Sequence, residues 1–394
     1  MIVEPLVSSP DSLRVVIAGA GFAALETLLA LRAIGGRDPQ VALVAPGQAF
    51  TYRPAATAEA FDASRPRVYD LRAISVDLGA CYHRARLEAV SSRKRHVRLS
   101  SGRQLSFDFL VLGVGARATA SIPGAEMFRD QRDVRLVCSL LREVQTGAVQ
   151  RVVFALPAGP SWPVPLYELA LLLAARAAEH SQRVSISIVG PEPAPLAVFG
   201  EKASQLVSNL LGSREISFVG GVSPSHVRRD GSLALRSGGV VRADRVISTP
   251  QLRGPRITGV PADRWGFVPI DASGRVQTLP QVYAAGDMTA FPIKQASLAT
   301  QQADRIAQTI LTAAGRTIPS GRYPRVLHAR LLTEDGELLL RTELDVYGQP
   351  TSATFARAVH GHAAAERKVF ARYLTPYLQA LDEHRPRAPF ATPT

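Results

Sequence analysis

Gly19, Gly21 and Ala24, set as G-x-G-x-x-A in Gly19-Ala20-Gly21-Phe22-Ala23-Ala24, are the residues whose spacing most directly implies chemistry. The pattern suits a dinucleotide pyrophosphate. The first glycine permits a tight turn, and the second removes a Cβ so that phosphate can approach the backbone. The third small residue lets a helix sit close to a strand. A helix starting there would offer unpaired N–H groups and partial positive charge. The flanks fit this reading. Leu13–Ala18 reads as a short buried strand, and Leu25, Leu28, Leu29 and Leu31 as the apolar residues of a helix closing at Gly35-Gly36. Val41–Val44 reads as the next strand, which completes a βαβ unit. One part of the fingerprint is missing. The second strand ends at Ala45-Pro46, with no carboxylate for the adenosine ribose until Glu59.

Two further segments carry glycines after short apolar runs. Phe107–Ala116 holds Gly113 and Gly115, and Thr278–Asp287 runs from a polar turn through a strand to Gly286-Asp287. The three segments, in this order, resemble the FAD-dependent pyridine nucleotide–disulfide oxidoreductase superfamily. Gly21–Thr27 and Leu166–Ala170 resemble its sulfide:quinone oxidoreductase and type II NADH dehydrogenase branch. The resemblance implies FAD as cofactor, with Gly19, Gly21, Phe22, Ala24, Gly113, Gly115 and Gly286 around it and Asp287 on the ribityl chain. It also implies that the helix after Phe291–Gln295 points its N-terminus at the flavin, with Lys294 and Gln295 beside it. Arg53 and Pro54, after the second strand, would line the flavin, and Glu168 would relay protons.

Departures from that branch matter. Only two cysteines occur, Cys81 and Cys138, and neither matches a redox-cysteine position, so both read as packing residues. The quinone-site motif A-Q-x-A-x-Q stands as Ala296-Ser297-Leu298-Ala299-Thr300-Gln301, with serine for the first glutamine.

The elements that must position these residues read as α/β throughout. The expected architecture is two Rossmann-like dinucleotide-binding domains with a small C-terminal domain. Residues 1–120 and 255–318 would form a discontinuous FAD domain, 121–254 a degenerate NAD(P)-type domain, and 319–394 a cap. In the second domain, strands are expected at Arg151–Leu156 and Val184–Val189, with a helix over Tyr167–Ala178. Its first turn, Pro157–Pro165, replaces the usual glycines with prolines, which offer no N–H to a phosphate. NAD(P)H binding in the usual way is therefore disfavoured. In the cap, Arg330–Leu332 and Leu338–Leu340 read as a hairpin. Lys368–Leu381 reads as a helix packed on the core and kinked at Pro376.

Composition narrows the function classes. The chain has 394 residues, 46 Lys+Arg and 33 Asp+Glu, for a formal charge of +13. Lysine occurs only at positions 94, 202, 294 and 368, so the excess is arginine. No basic helix with interleaved aromatics points to nucleic acid. His360-Gly361-His362 lacks a third ligand, which argues against a metal. No apolar run approaches the ~20 residues of a membrane span, and Met1–Asp11 lacks the features of a signal peptide. The expected location is the cytoplasm or the inner membrane surface, as a peripheral protein. The expected activity passes electrons from a small donor through flavin to a quinone or other small acceptor. An NAD(P)H:acceptor reductase, and a degenerate flavin-binding subunit, stand as alternatives. A homodimer is left open.

Overall fold

The computed structural model describes residues 12–62, 66–318, 324–360 and 368–383. Its first sheet is parallel, with strands in the order Val282–Ala284, Phe109–Leu112, Arg14–Ala18, Gln40–Ala45 and Cys81–Arg84. Val15, Val16, Ile17 and Ala18 are all buried, as expected for a central parallel strand covered on both faces. The helix Phe22–Gly35 follows the first strand and packs against the helix Ala296–Ala313. Small residues from both helices, among them Ala30, Ala299 and Ala307, are buried in the core that these two helices share.

The second sheet is also parallel, ordered Glu126–Met127, Arg245–Ser248, Arg151–Ala155, Ser185–Val189 and Ile216–Val219. The helix Val164–Glu179 covers it, beginning three residues earlier than the sequence suggests. Pro163 caps it and Pro165 lies in its first turn, where a missing N–H has no consequence for the helix.

An antiparallel sheet of Arg325–Thr333, Gly336–Leu344 and Pro350–His360 lies over that helix. Leu327, Leu331, Leu338 and Leu340 join the core of the second sheet. The expected hairpin is present, but its strands are longer and a third strand extends it.

The expected helix over Lys368–Leu381 is shorter. It spans Leu374–Glu383, and residues 368–373 are not helical. Side chains elsewhere take up the backbone donors of that stretch. Val369 N–H donates to the Tyr52 hydroxyl at 3.1 Å and Phe370 N–H to Ser297 Oγ at 3.0 Å. The Glu26 carboxylate accepts from Tyr373 N–H at 2.9 Å and Leu374 N–H at 2.6 Å, which starts the helix there. Pro376 then falls in the first turn, where it forces no kink. Leu374 and Leu378 are buried against the core of the first sheet, so this helix packs as expected.

Both cysteines are exposed and unpaired, contrary to the packing role expected of them. Cys81 opens the edge strand of the first sheet, and Cys138, on the helix Val134–Gln145, has its Sγ 3.9 Å from the Ala60 carbonyl. Among the described residues no helix is long and apolar enough to cross a membrane, and no group of metal ligands forms. The Gly361-His362 part of the considered metal motif lies outside the described residues.

Candidate active site

Strand order reverses at Arg14–Ala18, whose neighbours are Gln40–Ala45 on one side and Phe109–Leu112 on the other. Open α/β sheets bind ligands beyond the carboxyl ends of their strands at such a point. The three glycine-bearing segments meet there. Gly113 N–H donates to the Ala18 carbonyl at 2.7 Å, and Ala285 N–H to the Leu112 carbonyl at 2.9 Å. A Cβ on Gly19 would collide with the Gly113 carbonyl, and Gly19 has φ +123°. A Cβ on Gly113 would press on Ala24 at 3.2–3.4 Å. Gly286, at φ +78°, faces the Ala23 and Ala299 methyl groups at 3.4 and 3.3 Å.

Gly21 differs from its neighbours. Nothing lies within 4 Å of where its Cβ would be. It caps the helix Phe22–Gly35 with no side-chain bond, and the first turn holds no acidic residue. The first-turn N–H groups therefore have no acceptor within the helix. This cradle of open backbone at a helix N-terminus fits an anionic pyrophosphate. Gly115, also open on its Cβ side, continues the rim. Phe22 is half-buried and packs edge-on against Phe50 and Tyr52, with ring centres 5.1 and 5.6 Å apart. This cluster anchors the helix start to the loop that carries Arg53 and Pro54.

Asp287, Lys294 and Arg53 are grouped electrostatically. Burial pushes the Asp287 carboxyl up, and the charges of Lys294 and Arg53 oppose that shift. Lys294 is buried, donates to the Thr289 carbonyl, and lies 3.7 Å above the Phe267 ring. Burial lowers its pKa to about 8, against the pull of Asp287 and Asp263. Arg53 is largely exposed and lies 3.4 Å from Asp130. Gln295 caps the helix Ala296–Ala313: its Oε1 accepts from Leu298 N–H at 3.0 Å. Its Nε2 donates to the His328 carbonyl and to Ser297 Oγ. The Gln295 side chain is thus committed to the protein.

Glu168 is buried where the second sheet's helix meets the antiparallel sheet and the C-terminal segment. It accepts from Lys368 Nζ at 2.7–2.8 Å, from Thr57 Oγ1 at 2.5 Å and from Leu332 N–H at 3.2 Å. Lys368 is itself buried and donates to Thr57 at 2.9 Å.

The second sheet reverses its order at Arg151–Ala155, where the proline-rich turn sits. That turn is fastened down. Gln251 Nε2 donates to the Ala158 carbonyl at 2.7 Å, Leu252 N–H to the Pro160 carbonyl at 2.9 Å, and the Ser161 and Thr249 hydroxyls are 2.8 Å apart. Glu192 follows the strand Ser185–Val189, the place where a Rossmann sheet carries its ribose acid. Its carboxylate accepts from the Tyr167 hydroxyl at 2.8 Å, and burial raises its pKa to about 7.

Several of these groups escape sequence reasoning. Lys368 and Glu192 gain meaning only from long-range contacts, as does Asp304, which burial and the adjoining Glu26 carboxyl push up to about 8. Gln302, whose Oε1 accepts from Gly286 N–H at 2.7 Å, is another. The rarity of lysine was the only signal that could have singled out Lys368.

Residues 167–303 match the family model described as pyridine nucleotide-disulphide oxidoreductase. No curated protein matches the sequence. Solved structures share the fold. The sulfide:quinone oxidoreductase of Aquifex aeolicus is 18% identical, with a TM-score of 0.78 over 94% of this chain and 90% of that one. The ferredoxin reductase of the CYP199A2 system from Rhodopseudomonas palustris is 19% identical, with a TM-score of 0.65 over 84% and 82%. An NAD-dependent persulfide reductase from A. fulgidus is 15% identical, with a TM-score of 0.61 over 84% and 64%. The chain thus shares the fold of these structures, and residues 167–303 match the pyridine nucleotide-disulphide oxidoreductase family model.

Proposed function

We propose that the protein takes electrons from a small donor and passes them, through FAD, to a quinone or another small acceptor. The observation that carries this reading is the meeting of Gly19, Gly113 and Gly286 at the switch point, with open space beside Gly21 and Gly115. FAD, when bound, supplies the two-electron redox chemistry. Gly19, Gly21 and the following helix N-terminus would hold its pyrophosphate, with Gly113, Gly115 and Ala24 shaping the floor. Asp287 would hold the ribityl chain. Lys294 places a buried cation, half-neutralised near pH 8, beside that carboxylate. This cation favours negative charge in the crevice. Gln295 and Phe22 would act by positioning, the first through its helix cap and the second through its aromatic cluster. Arg53 and Pro54 would border the crevice from the loop after the second strand. Glu168, with Lys368 and Thr57 bonded to it, would hold exchangeable protons at the junction of the three sheets. The residue ranges 1–120 with 255–318, 121–254 and 319–394 are our proposed domains.

The second switch point supports a small donor. Prolines and fastened backbone occupy the turn that would receive a nicotinamide dinucleotide's phosphates, which favours a small donor instead. One observation supports the second reading, an NAD(P)H:acceptor reductase: Glu192 stands where a ribose acid would. Anaerobic mixing separates them. Sulfide, thiols or reduced quinones are expected to bleach the flavin, and NADH and NADPH are not. Rapid bleaching by a nicotinamide alone would reverse the order of the two readings. A flavin that no donor reduces would leave a structural or regulatory subunit.

A further inference from the structure

The second strand of the first sheet ends without the acid that a dinucleotide site of this kind carries. It stops at Ala45, and Pro46, Gly47 and Gln48 after it are exposed. A Cβ at Gly47 would meet only the Ala49 carbonyl, at 3.9 Å, so this end of the crevice is open. A carboxylate at such a strand end takes the adenosine ribose hydroxyls. Where the ribose carries a 2′-phosphate, an arginine stands nearby instead.

Arginine is what this chain places there. Arg84 ends the strand Cys81–Arg84 and is in register with Ala45. Residues in register on parallel neighbours project to the same face of the sheet, so Arg84 shares the face of position 45. The backbone fixes this pairing. Ala85 N–H donates to the Ala45 carbonyl at 3.1 Å, and the Tyr82 hydroxyl donates to the Gly47 carbonyl. That hydroxyl also registers the charges around it. Burial pushes it up, Arg84 opposes the shift, Asp70 adds to it and Arg72 opposes it. Arg84 and Arg72 therefore both stand close to the end of the second strand.

Both guanidinium groups are available. Arg84 and Arg72 are exposed, and among the described residues neither side chain has a hydrogen bond or an ion pair. The acid that acts on Tyr82, Asp70, caps the helix Leu71–Asp77, its Oδ1 accepting from Ala73 N–H at 2.7 Å. One carboxylate against two guanidinium groups leaves this corner cationic. A phosphate monoester, with its charge and acceptor oxygens, matches guanidinium forks far better than a ribose hydroxyl does.

We propose that Arg84 and Arg72 form a phosphate seat at the adenosine end of the glycine-lined crevice, so that the crevice prefers an adenine dinucleotide with a ribose 2′-phosphate over one with a free 2′-hydroxyl. The inference rests on the reading of that crevice as a dinucleotide site. It adds a second ligand class, which competes with FAD for the same cradle.

Isothermal titration of the full-length, flavin-free protein with NADP⁺ and NAD⁺ tests it, because the two differ only in that phosphate. One NADP⁺ per chain is expected, bound about tenfold or more tightly than NAD⁺. Saturating FAD is expected to abolish its binding. Arg84→Gln should weaken NADP⁺ about tenfold and leave NAD⁺ within about twofold. Arg72→Gln should act in the same direction. Both positions are exposed, and unchanged melting shows that each variant folds. Four results would overturn the proposal: no saturable NADP⁺ binding up to about 1 mM, equal affinity for the two nucleotides, a preference untouched by Arg84→Gln in a folded protein, or NADP⁺ binding that persists under bound FAD. Failure of the dinucleotide reading itself looks different, because FAD would then not bind.

Discussion

Gly19 and Gly21 are two residues apart and fail differently when changed. A Cβ at Gly19 meets the backbone of Gly113, and its φ of +123° suits only glycine. Gly19→Ala should cost about 2 kcal/mol or more of stability. Gly21 has φ −91° and open space, so Gly21→Ala should keep stability within about 1 kcal/mol. The added methyl would stand in the proposed phosphate cradle, and FAD affinity should fall about tenfold or more. Chemical denaturation with a flavin-binding titration checks both; equal effects on stability would contradict the assignment. Asp304 offers a pH test. Its folded value is about 8, against a usual value of 3.8. Between those values the folded chain keeps a proton that the unfolded chain has released. The stabilising contribution is thus present at low pH and lost as pH rises towards and through 8. Asparagine does not ionise, so Asp304→Asn should gain on the parent by on the order of 1–3 kcal/mol at pH 9, and by less at pH 5. Melting curves at pH 5, 7 and 9 measure the difference. A difference that does not change with pH would contradict the raised Asp304 value.

At the level of elements, the C-terminal segment is held by side chains rather than by its own helix. Lys368 reaches Glu168 and Thr57, and Tyr52, Ser297 and Glu26 accept from backbone N–H groups of residues 369–374. Lys368→Met would leave the buried Glu168 without its counter-charge and should cost about 3–5 kcal/mol. Adding Glu168→Gln to that variant should recover a large part of the loss, because no buried charge is then left unpaired. A double-mutant cycle by denaturation reads this coupling, and additive losses would show that the pair is not coupled. The same segment shows where sequence reasoning stops. Parallel strands and the long helices are legible because their apolar runs and glycine turns are local signals. The start of the Leu374–Glu383 helix is set by Glu26, 348 residues away along the chain, and no local pattern reports that. Tyr373 and Tyr377 repeat at helical spacing with Val369, yet only the second half of that pattern is helical. Glu168 stands out in the sequence near a helix start, whereas only the rarity of lysine marks its partner Lys368.

Across the whole molecule, two switch points of the same topology have been furnished differently. The first has open glycine backbone at a helix N-terminus. The second has prolines, a fastened turn and an acid already bonded to Tyr167. On the proposed function, the first would hold the flavin dinucleotide and the second would not receive a nicotinamide. The antiparallel sheet packs over the helix Val164–Glu179, and His328 and Arg325 from it line a cavity beside the helix Ala296–Ala313. The central claim is that the crevice among residues 13–45, 107–116 and 278–287 holds one flavin dinucleotide. The most direct measurement is the flavin released on denaturing protein purified after FAD reconstitution. The account predicts one FAD per chain in the parent, and a large loss in a Gly21→Val variant that still melts as a folded protein. A folded parent that retains no FAD, or a Gly21→Val variant that holds it undiminished, would contradict it.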